Sequence, residues 1–597
     1  MNKRIKNIAV ALSLTACLIL SACAQSTGET SSGQTLDSTA ASSDQSQTTA
    51  SGTETTLDSQ IDSTDQFTDR DYETEADSAV NIKLADQAST ADGSGVTIDN
   101  NTVTITAEGS YHLSGTLTNG QIVVETADTA KVQLILDGVT VSQTGSAAIY
   151  IKSADKVFIT LAAQSENQLS SSGEFVQTDD NTVDAAIFAK SDLTLNGSGS
   201  LTVTSETGHG IVSKDDLKVT GGSYSVTAAG QGLSGKDSVR IADGTFKLNT
   251  QKDGIHAENS DDSSLGYVYI KAGEFTIAAE GDGISASSEL MIENGDFDIS
   301  AGTTGTTAQT SDSSDSSQKG LKATTDLLIS GGKLQVQATD DSLHSNADML
   351  ISGGELQLQS GDDGLHADND LQISGGTLSI PESYEGLEGA SITISGGEIT
   401  VTASDDGLNA AGDNDGSGSL FGGDMFSASG DYSITISGGS LTADAGGDGI
   451  DSNGALTVSG GEIYVSGPTD SGNGALDYNG EAVISGGVLV ATGAVGMDQN
   501  FGDSSSQGSI LIQLSATQEA GSSVTLTNDQ GDILAEFTPA KAYQSVVVSA
   551  PDVAQGGTYT LTAGEESQTV TLTETIYGSG SESGGMGNGG GMGGGRR

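Results

Sequence analysis

A glycine recurs at Gly210, Gly232, Gly254, Gly283, Gly320, Gly364, Gly386, Gly407 and Gly449, at intervals of 22 residues or close to it except where Ser-, Gly- and Asp-rich stretches intervene. A second marker, a Gly-Gly or X-Gly pair, runs alongside, for example at Gly221-Gly222, Asn294-Gly295, Gly375-Gly376 and Gly460-Gly461. Where one interval lengthens to 29, 37 or 42 residues the other lengthens with it. The additions therefore fall in loops and leave the repeating unit intact, which is the mark of a solenoid.

The clearest unit is Asp362 to Ile380, DDGLHADNDLQISGGTLSI. Leu365 and Ala367, then Leu371 and Ile373, then Leu378 and Ile380 alternate with polar neighbours, so three short strands lie between turns. Three strands per coil, each stacked on its equivalent in the next coil, describe a parallel β-helix, and the crossover rule favours the right-handed form. About 14 coils at ~4.8 Å would make a rod ~65 Å long. The position after the glycine pair reads Tyr224, Phe246, Phe275, Phe297, Leu334, Leu356, Leu378, Ile399, Leu441 and Ile463, an internal stack of like residues. These aromatics are assigned to the core. Residues 80 to 507 are expected to form the solenoid and 508 to 577 a small antiparallel β cap, because the period stops there and alternating strands separated by turn signals take over.

The N-terminus has the form of an export signal over residues 1 to 22: Lys3, Arg4 and Lys6, an apolar run from Ile8 to Leu20, then Ser21-Ala22. Leu20-Ser21-Ala22-Cys23 resembles the lipobox of bacterial lipoproteins, in which the cysteine is acylated and becomes the first residue. Residues 23 to 75, dominated by Ser, Thr, Gly, Gln, Asp and Ala, are expected to form a disordered tether, and the Gly/Met-rich stretch 578 to 597 a disordered tail. The chain is thus expected outside the cell, a monomer touching the membrane through lipid alone. With 22 basic against 81 acidic residues, a net charge of −59 excludes a general nucleic-acid or anionic-membrane binder. Cations are the natural counterpart.

Aligning the coils on the glycine turns scattered acids into columns. The position before it reads Asp253, Asp282, Lys319, Asp341, Asp363, Glu385, Asp406 and Asp448, and one residue earlier lie Asp340, Asp362 and Asp405. Carboxylates about 5 Å apart repel by roughly 1 kcal/mol in water and about 3 to 4 kcal/mol at an effective dielectric of 20. Protonation, splaying into solvent or a bound divalent cation would relieve them. Calcium, which takes oxygen ligands at ~2.3 to 2.6 Å, suits carboxylates on neighbouring rungs. Zinc is set aside, since five histidines are too few and the mature chain's one cysteine carries lipid. Asp-Gly is also an ordinary turn pair, but turn chemistry does not explain the doubled Asp-Asp.

Two residues after the glycine a second outward column reads Ser234, His256, Ser285, Lys322, His344, His366, Glu388, Asn409 and, further on, Asp451, Asp477 and Asp498. A stripe of hydrogen-bonding side chains beside a cation ladder is a track for an extended polymer, with His344, His366, Glu388, Asn409 and Asp451 as its candidate contacts; a merely solvated face is the plain alternative. The Gly-rich insertion from Gly412 to Gly430 carries Phe421, Met425 and Phe426, which are placed to close over that face or to pack as an ordinary loop.

The lipobox, the Ser/Thr tether, coils with (D)DG(I/L)xA followed by ISGG, and the Gly/Met-rich tail together resemble a family of bacterial carbohydrate-binding proteins. The resemblance, over roughly residues 80 to 577, implies a right-handed parallel β-helix that binds calcium and is related in fold to pectate-lyase-type polysaccharide lyases. It implies binding to plant cell-wall polymers, cellulosic or acidic, with calcium at positions such as Asp362, Asp363, Asp405 and Asp406. The chain has no Trp, so flat stacking on crystalline cellulose is disfavoured and a calcium-bridged acidic polymer fits better.

The leading expectation is a cell-surface lipoprotein that binds carbohydrate through a calcium-loaded β-helix without catalysis. A calcium-dependent polysaccharide lyase is the alternative from the enzyme class. Lys319 and Lys322 would be its bases, although lysines amid carboxylates hold their protons tightly. An adhesin or spacer is the third reading.

Overall fold

The computed structural model describes residues 59, 61–302, 317–411 and 432–578. The signal segment, Cys23, most of the tether, the tail beyond 578 and the insertion with Phe421, Met425 and Phe426 lie outside the described residues.

Because apolar and polar residues alternate with period two, each strand buries one side and must share it with the coils above and below. The result is a parallel β-helix with three faces. The first stacks six-residue strands such as Ser223–Ala228, Thr245–Thr250, Glu274–Ala279 and Asp296–Ala301. The second stacks three-residue strands such as Ile255–Ala257, Ile284–Ala286, Leu321–Ala323 and Leu343–Ser345. The third carries Ser238–Ile241, Tyr267–Ile270 and Leu290–Ile292. Neighbouring strands within each face pair in parallel, one coil to the next.

The column predicted to be internal is internal. Tyr224, Phe246, Phe275 and Phe297 stack with centroid separations of 5.4, 4.8 and 4.5 Å, and each is at most 2% exposed. Leu334 and Leu356 continue it in register. The two glycine markers have different causes. Gly376, second of its pair, has φ of +88°, a conformation costly for any residue with a Cβ. Gly254 has no such φ; a Cβ there would stand 2.4 Å from Ile277 and 2.7 Å from the carbonyl oxygen of Gly283 in the next coil. The periodic glycine therefore lets successive coils close up on each other.

At the C-terminal end the last solenoid strand, Ala482–Gly493, pairs antiparallel with Tyr543–Ser549, which in turn pairs antiparallel with Ser509–Gln518. A four-stranded antiparallel sheet, two of its strands between them in sequence (Val524–Asn528 and Ile533–Phe537) and two after them (Thr558–Ala563 and Glu566–Thr571), shares a second hydrophobic core with them. Covering the final strand removes an exposed edge.

The N-terminal approach differs from the expected tether. Residues 61–72 pack along the third face, with Ile61 buried and Asp71 wholly so. Asp71 receives Lys156 Nζ at 2.7 Å and Thr194 Oγ1 at 2.9 Å, while its carbonyl accepts from Asn196 and Thr220. Further back, Gln66 meets Tyr267 and Phe67 packs on Tyr269. The segment runs against the direction of coil growth, from Glu289, contacted by Ser59, down to Lys156. Its polar composition signalled disorder, but buried ionic and hydrogen bonds to distant coils hold it.

Candidate functional site

The turn from the first face to the second carries the acidic column, and the middle residue of each second-face strand carries the other. Pairing places Ser234, His256, Ser285, Lys322, His344, His366, Glu388, Asn409, Asp451 and Asp477 in one continuous register. They do not form an open solvated stripe: His344, Glu388 and Asn409 are at most 9% exposed, because the turn carboxylates pack beside them. Asp498 is also buried and bonds Gln513 and Ser545 of the cap region.

The carboxylates have a structural task that spacing alone does not reveal. One oxygen of each of five aspartates accepts the backbone N–H of the equivalent residue one coil on. Asp253 receives Asp282 N at 3.0 Å, Asp282 receives Lys319 N at 2.8 Å, and Asp341 receives Asp363 N at 3.1 Å. Asp363 receives Glu385 N at 3.3 Å and Asp406 receives Asp448 N at 2.6 Å. Coil stacking in the turn thus uses half of each carboxylate. The remaining oxygen is available for a cation.

How that oxygen is satisfied divides the ladder in two. In the first part most of the carboxylates meet basic side chains of the protein. Asp253 pairs with His256 at 2.7 Å and Asp341 with His344 at 2.8 Å, each three residues on. His366 Nδ1 lies 3.1 Å from Asp363 and 2.6 Å from Glu388, and its Nε2 lies 3.1 Å from Asp368. Burial opposes the charged imidazole, but the surrounding carboxylates outweigh it and push His366 up to about 12. Burial also raises Asp363, whereas His366 holds Glu388 below the usual range. Lys319 lies 3.0 Å from Asp340 and 2.5 Å from Asp341; burial works against its charge, yet these carboxylates raise it further. Lys319 therefore keeps its proton, which a lyase base has to give up. Lys322 donates to Ser317 at 3.2 Å.

In the second part no basic side chain is paired with the carboxylates among the described residues. Asp406, Asp448 and Asp451 bring one oxygen each within 4.8 Å of one another. Burial, reinforced by the neighbouring acids, pushes Asp406 up to about 9 and Asp448 and Asp451 up to about 7. Asn409, beside Asp451 in the strand register, donates to Glu385 at 2.8 Å and leaves its own buried Oδ1 without a hydrogen bond. The three carboxylates form an all-oxygen set that could hold a hard cation, with an orphan carbonyl oxygen on the neighbouring strand position. Of the doubled acids, Asp340 and Asp362 cluster with Asp341, while Asp405, together with burial, raises the Tyr384 hydroxyl above the usual phenol range. Tyr384 is an exposed aromatic that the sequence reading passed over; its signal was its place between Asp362 and Asp405 in the acid column.

The fold and the column place the chain among parallel β-helical proteins with a polar, partly buried strip along one face. A family profile described as carbohydrate-binding domain-containing protein matches residues 99–364 and again 362–581. The chain belongs to this family. A carbohydrate-binding domain-containing protein of Acetivibrio thermocellus is 40% identical over 154 residues, 25% of this chain and 54% of its own, so the chain spans about half the length of that curated relative. Among solved structures, a polysaccharide lyase-like protein from C. thermocellum, determined as a gadolinium derivative, is 37% identical with a TM-score of 0.36, covering 37% of this chain and 90% of the other.

Proposed function

We propose that this protein binds an acidic polysaccharide along the second face, through calcium held by Asp406, Asp448 and Asp451 and through the adjoining His366, Glu388 and Asn409. The observation that carries the reading is the unrelieved triad. Elsewhere the ladder meets the basic side chains His256, Lys319, His344 and His366, whereas these three carboxylates converge with no basic partner among the described residues, and burial raises all three. Calcium would replace protons on these groups and present open coordination positions to carboxylate groups of a polymer. The protein's own groups orient the sugar by hydrogen bonding. With Lys319 locked in ion pairs, the reading is binding without catalysis. Export and acylation at Cys23 would place the binding face outside the cell.

Calorimetric titration of the metal-free protein with calcium, followed by pull-down on polygalacturonate with and without the ion, tests this. Calcium binding and calcium-dependent retention are expected. No heat of calcium binding together with no retention would remove the proposal.

A further inference from the structure

We propose that Tyr384 is a sugar-stacking platform that seats one uronic acid residue beside the Asp406, Asp448 and Asp451 triad. The inference rests on the polysaccharide-binding reading and names a contact within it. Tyr384 occupies the column that otherwise reads Asp340, Asp362 and Asp405, so a ring stands where the neighbouring coils place a carboxylate. Its backbone is fixed on both sides: its N–H donates to Asp362 O at 2.7 Å, and Asp405 N donates to Tyr384 O at 2.9 Å. Its side chain nevertheless remains outside the core. Tyr384 is 38% exposed, and among the described residues the other large exposed apolar side chains are Tyr72, Val176 and Ile533, none of which lies on this ladder.

The coil carrying Tyr384 is also irregular. Strand Thr377–Ser383 slips register against the coil before it, between Gln357 and Gln359, and the strand after it pairs with a slip between Ile380 and Ser383. The slip occurs in the residues that lead into Tyr384. The hydroxyl is influenced by Asp405, which with burial raises it above the usual phenol range, and Asp406 beside Asp405 belongs to the triad. A half-exposed ring on a backbone held by both neighbouring coils is an amphipathic group suited to the C–H face of a pyranose. Carboxylates on the adjacent rungs would repel a uronate until a cation occupies the triad. Stacking on Tyr384 is therefore coupled to calcium for an acidic sugar.

The absence of tryptophan from the chain supplies a direct probe. In the full chain, Tyr384→Trp introduces a single indole, and its emission is expected to shift to the blue when a galacturonate oligosaccharide is added with calcium but not when the oligosaccharide is added alone. Tyr384→Ala is expected to weaken oligosaccharide binding about tenfold, the size of one aromatic contact, with calcium affinity measured by calorimetry unchanged. Tyr384→Phe, which keeps the ring and loses only the hydroxyl, should stay within about threefold of wild type. Unaltered oligosaccharide affinity in Tyr384→Ala, with wild type binding, overturns the platform and leaves the wider reading intact. A blue shift with a neutral glucan and no calcium overturns the uronate assignment, and failure of wild type to bind any oligosaccharide overturns both.

Discussion

The imidazoles of His344 and His366 lie face to face on adjacent coils, their centroids 4.8 Å apart and their planes inclined by 18°. Two rings that would repel if protonated in isolation are held together because Asp341 and Asp363, three residues before each, supply a carboxylate to every ring. Replacing His366 with Ala leaves Asp363 and Glu388 buried without their cation. A loss of about 3 kcal/mol is expected, the usual consequence of removing one partner of a buried pair, read from denaturant unfolding at pH 7. A loss below about 0.5 kcal/mol would mean that this cluster behaves as a solvated surface pair.

The triad is expected to respond in the opposite sense. Asp448→Asn keeps an oxygen for the Gly474 amide while removing the charge. Calcium affinity should fall at least tenfold, about 1.4 kcal/mol, while the metal-free protein becomes more stable at pH 8. A variant that loses stability in chelator and keeps its calcium affinity would show that Asp448 serves the coil turn alone.

Stability should depend on pH with a sign set by these groups. Asp406, Asp448 and Asp451 ionise at about 9, 7 and 7 in the fold, well above the 3.8 of an unfolded aspartate. Between those values the unfolded chain has released protons that the fold retains, so metal-free stability falls as pH rises from about 4 to 9. His366 acts in the same direction, its contribution being present below the unfolded histidine value of 6.5 and lost as pH rises toward 12. Asp71 acts oppositely. Its contribution is present above 3.8 and disappears as pH falls through about 2. Thermal melts in chelator should therefore decline above pH 5, and calcium should raise the midpoint more at pH 8 than at pH 5. An equal calcium effect at both pH values would contradict the assignment of the raised carboxylates.

Asp71 anchors the N-terminal segment to the third face. Although burial alone would raise it, Lys156, Thr68 and the surrounding donors bring it down to about 2. Asp71→Asn should cost about 3 kcal/mol, since Lys156 and the nearby Lys218 keep their charges in buried positions. Limited proteolysis should then cut within residues 61–75 before the solenoid. Cutting at the same rate in wild type and variant would show that the anchor lies elsewhere in the segment.

The repeat and the core were legible because both are local and periodic. Phe246, Phe275 and Phe297 follow their glycine pairs at a constant offset, and no distant contact is needed to predict that they stack. The acid columns were legible for the same reason. Their chemistry was not, because adjacent rungs look alike in sequence while their neutralisation depends on what stands across the turn. Asp341 meets His344 and Lys319; Asp448 meets Asp406 and Asp451. The docked segment was equally hidden, since Asp71 meets Thr194 across 123 residues and carries no pattern of its own.

The sequence by itself determined the coil, its register and the columns of outward groups, all consequences of one spacing repeated along a chain that must bury alternate residues. Only the tertiary structure decided which carboxylates hold backbone amides, which meet the protein's own imidazoles and ammonium groups, and which three converge without a basic partner among the described residues. Charge interactions fall within a few ångströms across coils, and that distance is set by stacking, side-chain direction and burial together.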